Sequence, residues 1–275
     1  MIQDIAPHVF DNAYKICAPR GTDLALYFEK NTVLLKREAD NWVIPTVESL
    51  GALFAGEAEY LFRVDDVGVF LLDTIAAPPQ EPFAMVATNE FRTMACDWMA
   101  FAGATASQLN RWKVNRRFCG RCGHEMEKSP TERAMRCPAC KNVEYPKICP
   151  AVIVAVTDGD KLLMARSTAA SYRKFALIAG FVEIGETFEQ AVEREVMEEV
   201  GLRIKNLRYY KNQPWSFSDT VMIGFTAELD GKPDITLQEN ELKEARWFTR
   251  EEIPESTSTI SIGSELIERF RRGEL

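Results

Sequence analysis

The sequence predicts a mixed α/β (α+β) protein made of three consecutive parts. Short apolar runs bounded by turn residues, clearest at Leu24–Phe28, Val33–Leu35 and Val69–Leu72, indicate a small β-sheet near the N-terminus. Four cysteines in two Cys-x-x-Cys pairs indicate a compact ribbon in the middle of the chain. Strand-like runs and an amphipathic helix follow, which is the pattern of a mixed α/β domain.

Length and composition limit the classes of function. A chain of 275 residues with 46% apolar residues suits about two packed units and a small insert. Its net charge of −8 excludes a global attraction to nucleic acid or to a membrane surface, so any nucleic-acid contact would be local. The N-terminus lacks the pattern of a secretory signal, and no apolar stretch of about 18 residues is present. We therefore expect a cytoplasmic protein without a membrane partner.

The first part, residues 1–115, is predicted to end in a helix. Apolar residues recur every three or four positions from Phe91 to Trp112, although Gly103 weakens the pattern. A basic run follows, made of Arg111, Lys113, Arg116, Arg117 and Arg121. Such a run usually marks a solvated face, and contact with phosphates is the alternative interpretation.

The middle part, residues 116–146, carries a predicted zinc site. Its four candidate ligands are Cys119, Cys122, Cys137 and Cys140. Two Cys-x-x-Cys knuckles let four thiolates meet one tetrahedral Zn²⁺ at about 2.3 Å each. The segment has too few apolar residues to fold by burial, so the metal would replace a core. The alternative is a redox dithiol, for which one pair would suffice.

Other residues of this region have structural interpretations. Gly120, Gly123 and Pro138 are expected to shape the two knuckle turns. The remaining thiols, Cys17, Cys96 and Cys149, are predicted to be ordinary buried cysteines.

The last part, residues 147–275, opens with a predicted hairpin. Ala151–Val156 and Lys161–Ala165 flank the turn Asp158-Gly159-Asp160. Further on, Thr187 and Gln190 form a capping-box pattern and Gly201 stands where a helix C′ glycine belongs. These signals predict a helix over Phe188–Val200.

That helix combines an apolar stripe with carboxylates. The predicted inward arc is formed by Phe188, Ala191, Val192, Val196 and Val200. Glu195 and Glu199 project from within the arc, Glu198 lies on its flank, and Arg194 can pair with Glu198 one turn away. Carboxylates beside an apolar stripe need a compensating charge, and Mg²⁺ or Mn²⁺ suits oxygen ligands. A surface helix with solvated acids is the alternative.

The same run matches a long family signature. The pattern G-x5-E-x7-R-E-U-x-E-E-x-G-U, where U is aliphatic, is met by Gly180, Glu186, Arg194, Glu195, Val196, Glu198, Glu199, Gly201 and Leu202. The chain thus resembles the Nudix hydrolases. This resemblance implies an α/β/α sandwich around a mixed sheet, dependence on a divalent metal, and hydrolysis of a nucleoside diphosphate linked to another group.

The resemblance also implies roles for individual residues. Glu195 and Glu199 would ligate the metal together with the Ala179 carbonyl, and Arg194 would orient the carboxylates. Glu198 or a neighbour would help to activate water, and Glu186 joins the candidate catalytic set. Glu241 resembles a further metal ligand of the family, with Glu239 and Glu244 as alternatives.

The surroundings of the helix resemble NADH pyrophosphatases over essentially the whole chain. The ribbon precedes the helix, and the segment Gln213–Thr220 is similar to that subfamily's Q-P-W-P-F-P-x-S. The matching positions are Gln213, Pro214, Trp215, Phe217 and, conservatively, Thr220, while Ser216 and Ser218 replace prolines. We expect an exposed loop whose rings line a pocket for planar bases; burial in the core is the alternative for Trp215 and Phe217.

Further contacts follow from the resemblance alone. Phe181 and Tyr145 would sandwich a base, Glu132 would contact substrate, and two copies of the chain would form a homodimer. The implied reaction cleaves NADH, or NAD⁺ less well, to nicotinamide mononucleotide and AMP, and the same cut could remove an NAD cap from RNA. The alternatives are a broader hydrolase of ADP-ribose or dinucleoside polyphosphates and a nucleotide sensor without turnover.

Overall fold

A computed structural model of the chain describes residues 1–168, 174–238, 241–255 and 260–275. The chain divides into two compact units. One, here the N-terminal unit, comprises residues 2–147 together with Ser216–Asp219; the other, the C-terminal unit, comprises Met1, Ile148–Trp215 and Thr220–Leu275. Among the described residues, no helix is both long and apolar enough to cross a membrane.

Before its cysteine-containing segment, the N-terminal unit contains two small sheets and a long helix. Its strands are β1 (Phe10–Asp11), β2 (Leu24–Leu26), β3 (Phe28–Glu29), β4 (Thr32–Glu38), β5 (Asn41–Val43), β6 (Phe54–Val64), β7 (Val67–Ile75) and β8 (Phe83–Ala87). Its helices are α1 (Val47–Leu50) and α2 (Asp97–Asn115), with 3-10 turns at Gly51–Leu53 and Thr88–Arg92. One sheet has the order β1-β6-β7-β2; the other has the order β3-β4-β5 with β8 paired to β4.

The predicted strands of this unit are present, but one of them is divided into two strands. Val33–Leu35 lies inside β4 and Val69–Leu72 inside β7, whereas the run Leu24–Phe28 is split between β2 and β3. The split separates strands that belong to different sheets, so the chain passes from one sheet to the other at this point.

The predicted helix begins later than its apolar pattern suggests. Phe91 belongs to the 3-10 turn, and α2 begins only at Asp97. The Phe91 ring is buried and packs against Gly103 of α2, where an added Cβ would lie 2.1 Å from the ring atom Cε1. Phe91 therefore fits the apolar spacing because it shares the core of α2 without being part of the helix. The glycine that weakened the prediction makes room for this ring.

The middle of the chain forms a three-stranded antiparallel sheet. Its strands are β9 (Glu127–Lys128), β10 (Met135–Arg136) and β11 (Val143–Glu144), with β10 in the centre. The associated apolar cluster is small and consists of Trp112, Cys119, Met126, Met135 and Cys137. Two of its five buried members are cysteines, which agrees with a segment that has little core apart from its thiol cluster.

The C-terminal unit is built on one mixed sheet. Its strands are β12 (Cys149–Asp158), β13 (Lys161–Ser167), β14 (Ile178–Phe181), β15 (Ile204–Trp215), β16 (Thr220–Leu229) and β17 (Leu242–Thr249). Its helices are α3 (Phe188–Val200) and α4 (Ile262–Arg271), with a 3-10 turn at Arg250–Glu252. The order is β15-β16-β12-β13-β17, and β14 pairs with β12. The β12–β16 pair is parallel, which makes the sheet mixed.

Alternation along β12 places a helix on each face of this sheet. Val152 and Val154 share one buried cluster with Val196 of α3, whereas Ile153 shares another with Leu266 of α4. Successive strand residues point to opposite faces, so α3 and α4 cover opposite sides. The mixed α/β class and the helix–sheet–helix layering are confirmed. The predicted hairpin is also present, with Thr157 opposite Leu162 and Gly159 at a φ of 60° in the turn.

Candidate functional site

Helix α3 begins and ends where its caps predict. The Thr187 hydroxyl accepts a hydrogen bond from the Gln190 N–H at 3.2 Å, and the Gln190 side-chain oxygen accepts one from the Thr187 N–H at 2.9 Å. Gly201 ends the helix at a φ of 69°, in the left-handed region that glycine adopts without a steric cost. These contacts fix the rotation and length of the helix that carries the candidate carboxylates.

The apolar arc of α3 faces the sheet, with one exception. Ala191, Val192, Val196 and Val200 are all completely buried. Phe188 is 42% exposed, so its assignment to the inward arc is wrong. It occupies the first position of the helix, one turn ahead of the residues that pack into the core.

Glu199 is a buried carboxylate on the inner side of α3. It is 7% exposed, and within the part of the chain that the structure describes no hydrogen bond or ion pair reaches its side chain. Burial, followed by the negative charges of Glu195, Glu241 and Glu198, raises the pKa of Glu199 to about 8. Because an ionised carboxylate is costly to bury without a counter-charge, this site favours binding of a cation.

Glu195 lies one turn before Glu199 and packs over strand β14. Its side chain is 12% exposed, and burial raises its pKa against the opposing effect of Arg194. A Cβ added to Gly180 would lie 2.0 Å from the Glu195 carboxyl carbon. Gly180 therefore has a steric reason to lack a side chain. The neighbouring Ala179, the proposed carbonyl ligand, pairs across the sheet with Ile153.

Arg194 holds three of the signature carboxylates. Its guanidinium donates to both Glu186 oxygens at 2.6 and 3.0 Å, to Glu195 at 2.8 Å and to Glu198 at 3.0 Å. It also donates to the Phe181 carbonyl at 2.9 Å, which ties α3 to the end of β14. The predicted Arg194–Glu198 pair is present. The Arg194 hydrogen bonds lower the pKa of the Glu186 carboxyl. Glu186 therefore stays ionised and holds the Arg194 guanidinium in place.

Among the described acids of its segment, Glu241 is the one whose charge acts on the carboxylates of α3. Its charge raises the pKa of both Glu195 and Glu199. Glu244 instead forms an ion pair with Arg166 at 2.6 Å. Glu239 lies outside the described residues. The carboxylates of Glu195, Glu199 and Glu241 thus influence one another through their charges, and carboxylate oxygens are the ligands that divalent cations prefer.

The four cysteines of the ribbon converge on one point. Their sulfur atoms all lie within 4.8 Å of one another, with Cys119 to Cys140 at 3.6 Å and Cys122 to Cys137 at 3.4 Å. Tetrahedral zinc with sulfur ligands at about 2.3 Å requires sulfur–sulfur distances of roughly 3.8 Å. The cluster therefore fits a zinc ion.

Both knuckles have the same backbone design. The N–H of Gly123 donates to the Cys119 carbonyl at 2.9 Å, and the N–H of Lys141 donates to the Cys137 carbonyl at 3.0 Å. Gly123 and Lys141 each follow the second cysteine of a pair, with φ values of 75° and 62°. Gly120 is not among the residues with positive φ, so the turn does not depend on it. Sequence reasoning missed Lys141 because a non-glycine residue rarely marks a left-handed position.

The other thiols are less buried than predicted. Cys17 is exposed, and Cys96 and Cys149 are half-buried. Cys17 lies in a segment without regular secondary structure that precedes β2. The prediction that all three are buried is wrong.

The segment expected to be an exposed loop is mostly strand. Gln213, Pro214 and Trp215 end β15, and Thr220 begins β16 opposite Trp215. Gln213 is completely buried, and its amide donates to the Ile260 carbonyl and accepts from the Ile262 N–H, both at 2.8 Å. The loop prediction is wrong for these residues because they pair as strands, and the two amide hydrogen bonds hold Gln213 in the interior. Pro214 is exposed and Trp215 is half-buried.

The turn of this hairpin carries the remaining ring. Phe217 is half-buried, with the Arg92 guanidinium 4.1 Å from its ring centroid. Thr220 is buried, and its hydroxyl lies 3.5 Å from the Trp215 carbonyl.

Two predicted substrate residues meet within the N-terminal unit. The Tyr145 hydroxyl donates to Glu132 at 3.2 Å, and Arg136 donates to the other Glu132 oxygen at 2.8 Å. The Arg136 hydrogen bond lowers the pKa of Glu132. The Tyr145 ring is 59% exposed and therefore available to a ligand. Phe181, which belongs to the C-terminal unit, is 56% exposed.

Comparison with known proteins agrees with both sites. Residues 147–270 match the NUDIX domain, and residues 115–145 match the NADH pyrophosphatase zinc ribbon domain. An NAD-capped RNA hydrolase NudC of Haemophilus influenzae strain PittGG is 44% identical over 164 residues, and one of Shigella flexneri is 45% identical over 161 residues. Each alignment covers 58% of this chain and 62% of the relative, so the chain spans less than two thirds of the curated relatives it matches.

Among solved structures, a NUDIX hydrolase from Nitrosomonas europaea is 27% identical, with a TM-score of 0.49 over 57% of this chain and 90% of that one. The family matches coincide with the acidic helix and the cysteine cluster. Residues 147–270 of this chain are therefore similar to a Nudix domain, and residues 115–145 are similar to a zinc ribbon of the NADH pyrophosphatase type.

Proposed function

We propose that this protein hydrolyses the pyrophosphate bond of NADH, and of NAD⁺, to nicotinamide mononucleotide and AMP, with Mg²⁺ or Mn²⁺ as the catalytic ion. The observation that carries the proposal is the buried Glu199, whose pKa is raised by burial and by the charges of Glu195 and Glu241, and whose carboxylate has no hydrogen bond or ion pair with any described residue. The names of the relatives support NAD-capped RNA as a second substrate.

The acidic residues on and beside α3 would have different roles in the reaction. We propose that Glu195, Glu199 and Glu241, with the Ala179 carbonyl, hold the divalent ion. When bound, such an ion screens the charge of a diphosphate and lowers the pKa of water. Arg194 keeps Glu195 and Glu198 in place, while Glu186 holds Arg194 from its other side. Glu198 has a side chain that is 53% exposed, so it can accept a proton from water at the open side of the helix.

The remaining predicted residues would recognise the dinucleotide. Those with exposed or half-buried side chains are proposed to touch it: Phe181, Tyr145, Glu132, Pro214, Trp215 and Phe217. Aromatic faces suit the planar bases of a dinucleotide. Gln213 and Thr220 are buried, and we propose that they contribute by fixing the ends of β15 and β16.

Other features complete the proposal. We propose that the cysteine cluster holds structural Zn²⁺, that the chain is organised as residues 1–115, 116–146 and 147–275, and that it acts in the cytoplasm as a homodimer. Zinc content after purification and the mass of the native particle test two of these statements directly.

A substrate panel tests the activity. Pure protein is incubated with Mg²⁺ and NADH, NAD⁺, ADP-ribose or diadenosine tetraphosphate, and AMP release is measured. We expect the highest kcat/KM for NADH. Preference for ADP-ribose or the tetraphosphate would indicate the broader hydrolase instead. Binding without any turnover would indicate a sensor.

A pair of variants tests whether turnover depends on Glu199. Glu199→Gln should lose most of kcat at saturating Mg²⁺ and remain folded, because it removes one proposed ligand charge. Glu193→Gln changes an exposed glutamate of the same helix and should retain the wild-type rate. Equal losses in both variants would refute the assigned role of Glu199.

A further inference from the structure

The turn Ser216–Asp219 lacks the residue types that most often fix a tight turn. It joins β15 to β16 beyond the pair formed by Trp215 and Thr220. Its four residues, Ser-Phe-Ser-Asp, include neither proline nor glycine. Asp219 nevertheless adopts a φ of 59°, which aspartate tolerates better than most residues do. A turn of this composition needs contacts from elsewhere to hold one conformation.

Arg111 supplies such contacts from helix α2. Its guanidinium donates to the Asp219 carboxylate at 2.6 Å and also to the Ser216 carbonyl. These two acceptors stand at the first and last residues of the turn. A third hydrogen bond joins Arg111 to the Ser107 hydroxyl at 2.9 Å, one helical turn earlier, and so orients the guanidinium. Arg111 therefore binds both ends of the turn from helix α2.

A second arginine contacts the middle of the turn. Arg92 ends the 3-10 turn Thr88–Arg92, and its guanidinium stands 4.1 Å from the centroid of the Phe217 ring. A guanidinium over an aromatic face is attractive at this distance. The ring is thus held on one side, while Ser216 beside it is 6% exposed.

We infer that Arg111 is a positioning residue for dinucleotide binding, because it fixes the turn Ser216–Asp219 and thereby sets where Phe217 and the adjoining Trp215 present their rings. This inference rests on the proposed function, in which those rings meet the substrate. Within the described parts of the chain, the side-chain hydrogen bonds of Arg111 go to Ser107 and to the turn. Its role is therefore in ring placement and not in the chemistry of cleavage.

Loss of Arg111 is expected to weaken substrate binding and to leave the chemical step unchanged. Loss of Arg111 leaves the carboxylates of α3 and their Arg194 contacts in place, so the chemical step is preserved. The rings would sample more positions, and binding would have to restrict them again, which weakens affinity for substrate. We expect Arg111→Ala to raise KM for NADH about tenfold and to change kcat by no more than about twofold.

The test combines a kinetic and a structural measurement. Arg111→Ala, Asp219→Asn and the double variant are compared by KM and kcat with NADH and Mg²⁺, and by amide hydrogen exchange of residues 216–219. Asparagine is used because it also tolerates positive φ. The control is Arg63→Ala, which breaks another ion pair of the same unit, between Arg63 and Asp11 at 2.8 Å. Since Arg111 and Asp219 act as one contact, the double variant should be no worse than Arg111→Ala alone.

The possible results distinguish the positioning role of Arg111 from the proposed function. Faster exchange at 216–219 with a raised KM in the Arg111 and Asp219 variants, and neither change in the control, is the expected result. Unchanged exchange overturns the proposed fixing of the turn, and faster exchange with unchanged KM overturns the role in binding. Wild-type protein that releases no AMP from NADH would overturn the proposed function instead. The positioning role would then be judged by calorimetric affinity for AMP, which Arg111→Ala must still weaken.

Discussion

The Arg194 guanidinium donates to both oxygens of Glu186, at 2.6 and 3.0 Å, across the loop that joins β14 to α3. The same guanidinium reaches Glu195 and Glu198. Glu186 is thus the fixed end of a chain of contacts that orients two candidate catalytic carboxylates. A residue eight positions before the arginine determines which way the arginine points.

Glu186→Gln should therefore impair catalysis from a distance. The amide can keep one hydrogen bond but loses the charge that holds Arg194, and removal of such supporting contacts costs roughly 10–100-fold in metal affinity or activity. The measurement is kcat and the Mg²⁺ concentration for half-maximal rate. Glu183→Gln is the control, because the exposed Glu183 meets Glu186 through its backbone: its N–H donates to the Glu186 carboxylate at 3.0 Å, and its carbonyl accepts from the Glu186 N–H at 3.1 Å. A wild-type rate in Glu186→Gln would contradict the supporting role.

Gly180→Ala should displace Glu195. The new Cβ would lie 2.0 Å from the Glu195 carboxyl carbon, so the carboxylate must move. Misplacement of a reacting group by about 1 Å can cost about 100-fold in rate. We expect a loss of that order in kcat/KM, measured with NADH and Mg²⁺. Gly120→Ala is the control, since nothing lies within 4 Å of the added atom. Equal rates in the two variants would show that the Glu195 position is not critical.

Stability and metal binding should be linked to pH through Glu199. Its pKa rises from 4.5 to about 8 in the folded protein, so the fold favours the protonated form. The contribution of this group to metal-free stability is full below pH 4.5 and is lost as the pH rises through about 8. A cation that displaces the proton should bind more weakly as the pH falls below that value.

Thermal unfolding with and without Mg²⁺ checks this linkage. Between pH 5.5 and pH 8.5, metal-free wild-type protein should lose more stability than Glu199→Gln does. Added Mg²⁺ should raise the wild-type Tm most at the higher pH and should raise that of the variant little. A Mg²⁺ effect on Tm that is independent of pH would count against Glu199 as the titrating ligand.

Loss of one ribbon thiol should unfold the ribbon. Cys137 is buried and supplies one of four clustered sulfurs, so Cys137→Ser should abolish stoichiometric zinc and expose the cluster around Met126 and Met135. Zinc content by mass spectrometry and hydrogen exchange of residues 115–145 measure this. Cys17→Ser, which alters an exposed thiol outside the cluster, should change neither quantity. Full zinc content in Cys137→Ser would refute the four-thiolate site.

Local patterns explain what was predicted correctly. The bounds of α3 follow from Thr187, Gln190 and Gly201, which act on the backbone within a few residues of themselves. The cysteine cluster follows from the spacing of two short knuckles. Signals of this kind are complete within a short window of sequence, so they can be interpreted without knowledge of the rest of the fold.

Long-range contacts explain what was missed. The burial of Gln213 depends on backbone groups 47 and 49 residues further along the chain. The grip of Arg111 on Asp219 joins residues 108 positions apart. Phe91 has the spacing of a helix residue because it packs on Gly103, not because it lies in α2. No pattern within a short window distinguishes these cases.

Diffraction from a crystal soaked in Mn²⁺, recorded for anomalous scattering, would locate the divalent ion. We expect a strong anomalous peak bound by carboxylate oxygens of Glu195 and Glu199, with Glu241 beside it, and none in Glu199→Gln. An empty map at this cluster, with the wild-type side chains turned away from one another, would contradict it.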